Sequence, residues 1–152
     1  MVIPPSPPSE SAVPPRRALR WTPSAVLSDL FLVLVLAVGA WLRFTGVNWD
    51  ENQHMHPDER FLTMVETSIQ LPGLGEYFNT DESPLNPNNV GHSFFVYGTL
   101  PIFLVRVVAE WTNNAGYDQV TVVGRLTSAG FDVLSILLVY LIGRKLYQTR
   151  VG

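Results

Sequence analysis

The twenty positions from Ala25 to Phe44 carry only two charges, Asp29 and Arg43, in a run that is otherwise almost continuously apolar. Wound as an α-helix, such a run extends about 30 Å, the thickness of a bilayer hydrocarbon core. A soluble domain would have to surround it with protein on every side. In a chain of 152 residues the other apolar side chains gather in blocks of their own instead of recurring at core spacing. The fold class expected is therefore an all-α membrane protein, with its first transmembrane helix at about residues 25–44. Thr22 and Pro23 supply its start, a hydroxyl at the cap and proline at the first helical position.

Leu126 to Ile142 forms a second run, broken by Asp132 and followed at once by Arg144 and Lys145. It predicts a second transmembrane helix over about 120–143. Phe94 to Val108 is shorter, holds Gly98 and Pro101 and stops at Arg106, which predicts an interfacial or re-entrant helix over about 93–110. Charge orients these pieces. The net charge of −3 conceals Arg16, Arg17 and Arg20 before the first run and Arg144, Lys145 and Arg150 after the last, with an acidic stretch between. Basic flanks stay on the cytoplasmic side. Both termini are thus expected in the cytoplasm, with a long loop, about 45–118, outside the cell membrane. The acidic middle excludes nucleic acid as a partner, and the absence of cysteine excludes disulfides and thiolate metal sites. Residues 1–20, rich in proline and serine, are expected to form a disordered tail, with a Pro-rich ligand for another protein as the alternative.

The loop begins with WDENQHMHPDER, which packs Asp50, Glu51, His54, His56, Asp58, Glu59 and Arg60 into a dozen positions. Pro57 opens a helix, expected over about 57–71, whose Phe61, Leu62, Val65 and Ile69 share a face and would lie on the outer membrane surface. Asp58 and Glu59 in its first turn suit the helix dipole, worth ~0.3 to 1 kcal/mol. The same carboxylates also have the chemistry of a general base, taking a proton from an acceptor hydroxyl, or of ligands holding a divalent cation against phosphate. His54 and His56, two residues apart, cannot share a helix face. A bent loop can aim both at a metal; otherwise they are solvated, or one bonds Asp58. Arg43 and Arg125 fall at the outer boundary, where guanidinium either reaches the headgroups or pairs with a phosphate carried on a lipid. Asp29 reaches the inner interface or pairs with a neighbouring helix, and Asp132 is expected to bond the first helix.

Together these motifs resemble the N-terminal end of the GT-C membrane glycosyltransferases, especially the protein-mannosyltransferase-like family 39 and its lipid-carrier-dependent bacterial relatives. WLRFTGVNW matches the Arg-containing turn that ends their first transmembrane helix, and HPDERFLTMVETSI the Asp-Glu pair opening an amphipathic surface helix. FFVYGTLPIFL matches loosely a stretch with proline and aromatics. VGRLTSAGFDVLSILLVYLIGRKLY matches an Arg-Leu opening of the second helix with a Gly-Arg-Lys exit. The resemblance implies that Asp58 is the catalytic carboxylate with Glu59 beside it, that a polyprenyl phosphate donates the sugar, and that Arg125 lies near the lipid phosphate. Arg43, His56, Asp50 and Glu51 complete the candidate substrate-binding set. The sequence departs from the family in carrying two acidic pairs and in lacking a proline pair before the interfacial segment. Family members also continue through many more helices, so the chain is expected to be an N-terminal portion, with membrane lipid and those remaining helices as partners. The alternative is a small two-helix membrane protein whose outer loop binds a partner without catalysis.

Overall fold

The computed structural model describes residues 23–147; the expectations for the tail and for a Thr22 cap lie outside them. Four α-helices and one 3-10 turn are present, and no strand occurs among the described residues. Helix α1 runs Pro23–Phe44, α2 Pro57–Ser68, α3 Thr99–Trp111 and α4 Tyr117–Leu146, with the 3-10 turn at Pro87–Val90.

Two of these helices, α1 and α4, are long and apolar enough to cross a membrane. Their apolar side chains face outward: Leu27, Phe31 and Leu34 on α1 and Val139 and Ile142 on α4 are all more than half exposed. That exposure distinguishes them from the core helices of a globular domain, whose apolar residues are buried. The two pack side by side and antiparallel. Arg43 near the end of α1 meets Asp132 on α4 at 2.9 Å, while Asp29 near its start accepts from Tyr140 and Arg144, each at 2.8 Å. Asp29 therefore pairs with the neighbouring helix, and Asp132 makes its bond to the first helix. Between these polar clamps the Ile136 side chain packs onto Gly39, where a Cβ would come within 2.8 Å of Ile136 Cδ1.

The segment between α1 and α4 folds back across this pair. Val65 of α2, Ile69 just beyond its end, Leu85 of the connecting segment and Ile102 of α3 form one buried cluster, with Phe61, Phe95 and Phe103 packed against it. Val105 and Ala109 of α3 join Val120 and Val123 of α4 in a second. Each such aliphatic side chain withdrawn from water contributes about 1.5 to 3 kcal/mol. The Thr99–Trp111 helix thus bridges α2 and α4.

Both short helices differ from expectation at their ends. Helix α2 stops at Ser68 instead of 71, because Ile69 turns extended and Gln70 N–H donates to Pro84 O at 3.1 Å. Helix α3 starts at Thr99 instead of 93, with Gly98 as its cap and Pro101 in its first turn, where a missing N–H costs nothing. Its far end, at Trp111, falls where expected, with Arg106 buried and hydrogen-bonded inside it.

Candidate functional site

Arg125, two turns into α4, organises the site. Its Nε and Nη2 donate to the two carboxylate oxygens of Glu59 at 2.6 and 2.8 Å, and its Nη1 and Nη2 donate to those of Asp50 at 2.8 and 2.9 Å. A further bond from Nη1 reaches Val47 O at 3.0 Å. Guanidinium has five N–H donors, and all five are engaged. The Trp49 ring lies 5.2 Å from its central carbon, at cation-π range. One side chain thereby ties α4 to α2 and to the turn after α1. Asp50 is 3% exposed, and the Arg125 hydrogen bonds hold its carboxyl down at about 2.

The sequence-predicted residues separate around this clasp. Asp50, Glu59 and Arg125 come together, whereas Arg43 pairs with Asp132 on the α1–α4 seam. Glu51 is exposed, in a left-handed conformation (φ 49°), and joins neither group. His56 is the N-cap of α2, its Nδ1 accepting from Glu59 N–H at 3.4 Å. Asp58, at the second helical position, stays exposed and lies against Tyr97; partial burial first, then this carboxylate, pushes the Tyr97 phenol above its ordinary value.

His54 corrects the expectation of a solvated or Asp58-bonded imidazole. It is 7% exposed, with Nε2 at 3.1 Å from Asp118 and its ring 4.4 Å from that of Tyr117. Left-handed conformations at Glu51, Asn52 and His54 itself turn the chain inward and carry the ring under the start of α4. Its Nδ1 lies 3.4 Å from Thr121 Oγ1, which in turn is 2.9 Å from Thr63 Oγ1 on α2. The histidine therefore fastens the loop to two helices. Among the described residues no three His, Asp or Glu side chains converge as a metal-ligand set.

Above the clasp, α2, α3 and α4 enclose a cleft of about 530 Å³ that reaches Arg43 on α1. Leu62, Ile102, Val105 and Ala129 make its apolar walls, and Tyr97 stands on its lining close to Asp58. Sequence reasoning missed one of its residues, Glu66. This side chain is 6% exposed and lines the cleft. Burial, together with the negative charge of Glu59 and against the opposing pull of Arg106, pushes its carboxyl up to about 8. It is a neutral acid at pH 7. The signal was available in the sequence: Glu66 stands four residues after Leu62 and three before Ile69, on the face otherwise apolar.

The chain matches no protein-family model, no curated protein and no solved structure.

Proposed function

We propose that the chain is the N-terminal part of a GT-C-type membrane glycosyltransferase that moves a sugar from a polyprenyl-phosphate carrier to an acceptor at the outer membrane face. The observation that carries this reading is the division of labour among the acidic residues. Asp50 and Glu59 are committed to Arg125, while Asp58 is exposed at the start of α2, beside a tyrosine of an apolar-walled cleft. Asp58 is then the general base. The acceptor hydroxyl gives it a proton, the acceptor oxygen bonds the anomeric carbon, and the sugar–phosphate bond breaks with its electron pair leaving on the lipid phosphate. Glu59 acts as a positioning residue, holding the α2 start against α4. Arg43, whose side chain is 59% exposed, makes a salt bridge weak enough to exchange Asp132 for a lipid phosphate.

The test measures sugar transfer from a polyprenyl-phosphate donor in membranes containing the full-length gene product. Asp58→Asn should cut transfer roughly 100-fold to 10,000-fold while leaving thermal stability unchanged. Normal transfer by Asp58→Asn would remove the catalytic assignment. A second reading, a non-catalytic protein whose loop binds a partner, draws on Leu74 and Phe78, which are 95% and 85% exposed on the connecting segment. It predicts no transfer by the wild type in the same assay.

A further inference from the structure

The geometry points to the cleft between α2, α3 and α4 as a binding site for an amphiphile with a primary ammonium head, its nitrogen seated on the Glu66 carboxyl and its hydrocarbon tail along the apolar walls. The inference does not rest on the glycosyl-transfer reading and does not use Asp58, although Arg43 and Glu59 border the site in both.

Two observations converge on it. The first is an account of charge. Arg125 is saturated by Asp50 and Glu59, and Arg43 is paired with Asp132. Of these groups Arg43, Glu59, Arg125 and Asp132 line the cleft, two carboxylates against two guanidiniums, so ionisation of Glu66 would leave one negative charge there that only a cation balances. Arg125 offers an entering anion no free donor, whereas a cation seated on Glu66 needs no existing ion pair to be broken. The second is Glu66 itself, more than nine-tenths buried in the cleft wall. No hydrogen bond or ion pair holds its carboxyl among the described residues; Arg106 Nη1 donates to its backbone oxygen at 2.9 Å instead. With no protein donor on them, the carboxyl oxygens are left to the cleft, and unpaired polar groups so placed in native structures commonly face a ligand or an ion.

The groups around Glu66 decide which ligand fits. On its own helix stands Glu59, on α3 Arg106, on α4 Arg125 and Asp132, on α1 Arg43, and Tyr97 comes from the segment before α3. Arg106 places no hydrogen bond on the Glu66 carboxyl: its Nη2 is bonded to Glu110, its Nη1 to the Glu66 carbonyl, and its buried Nε has no partner, so its charge opposes but does not overcome the effect of burial. Glu66 therefore stays protonated in the empty cleft. A primary ammonium supplies both charge and N–H donors, so its arrival ionises the acid and one proton passes to solvent. The volume, about 530 Å³, is that of a small-ligand site, and Leu62, Ile102 and Val105 offer the tail a dry surface.

The experiment uses the purified full chain in detergent micelles with ¹³C-carboxyl-labelled glutamate, titrated at pH 6.5 with hexylamine. Hexan-1-ol, hexanoate, hexyltrimethylammonium and methylammonium are the comparison probes. The resonance missing from Glu66→Gln is expected to move to the ionised position with hexylamine alone. Glu66→Gln, which resembles the neutral acid in shape and charge, should fold normally and bind hexylamine roughly 10-fold to 100-fold more weakly. Equal hexylamine affinity in wild type and Glu66→Gln overturns the site. Tighter binding of hexanoate or hexanol overturns the charge argument, and equal binding of methylammonium overturns the role of the tail. Equal binding of hexyltrimethylammonium overturns the requirement for N–H donors.

Discussion

Arg125 and Glu66 show how differently one interior treats its ionisable groups. Arg125 enters the protein with every donor satisfied, so its charge is compensated in place. Glu66 enters without a partner and gives up its charge instead. The consequence is a pH dependence of stability with two limbs. The folded Glu66 carboxyl sits at about 8 against an ordinary 4.5. Between these values the folded state binds more protons than the unfolded one, so its stabilising contribution, complete below 4.5, is lost as pH rises to 8. Asp50 has the opposite sign. Held at about 2 against an ordinary 3.8, it contributes stability above 3.8 that is lost as pH falls through 2. Thermal melts followed by circular dichroism should show the wild type losing about 5 °C or more between pH 5 and pH 8.5. Glu66→Gln should be flat over that interval and should keep the acid limb below pH 4. Identical alkaline slopes in both proteins would remove the buried acid as the cause.

Helices of this chain were legible in proportion to how local their causes are. The apolar lengths of α1 and α4, and the proline that opens α2, act within a few residues, and those elements form where pattern places them, with α4 running Tyr117–Leu146 against the expected 120–143. Ends set by tertiary contacts moved: α2 stops where Gln70 turns to bond Pro84, and α3 waits for Gly98. The candidate site was half visible. Asp50, Glu59 and Arg125 stood out as charged residues, yet their union joins positions 75 and 66 apart in the chain, which no spacing rule reaches. His54 was misjudged because its burial depends on left-handed turns that a sequence with no glycine there does not announce. The α1–α4 seam offers a test at this scale. At Gly39 an alanine methyl meets only the mobile end of Ile136, whereas a leucine cannot be fitted by rotating that side chain alone. Gly39→Leu should spread the helices, and Gly39→Ala should not. Cysteines placed at 43 and 132, in a chain with no others, report the separation through a short bis-maleimide. Undiminished cross-linking in Gly39→Leu would show that the seam does not depend on this close approach.

For the whole molecule, antiparallel packing of the two long helices places the Pro23 end of α1 beside the Leu146 end of α4, with the clasp and cleft at the opposite end. Arg144 and Lys145 stand at the first end, and Arg16, Arg17 and Arg20 precede α1 in the sequence. Near the other end the charges are dominated by acidic groups that do not determine orientation. In the proposed topology the basic end faces the cytoplasm, and α2, α3 and the cleft face outward, where a lipid-borne substrate or an amphiphile arrives from the bilayer. Single cysteines read this directly. Gly75 is a clean outer position because a side chain there meets nothing within 4 Å, and Tyr147, 67% exposed, marks the inner end. An impermeant maleimide added to intact cells should label Gly75→Cys and spare Tyr147→Cys until the membrane is opened. Labelling of Tyr147→Cys alone would invert the topology and put the Asp58 carboxylate in the cytoplasm. Labelling of both before opening would mean that α1 and α4 do not span together, and the cleft would then have to be explained as a feature of a surface-bound protein.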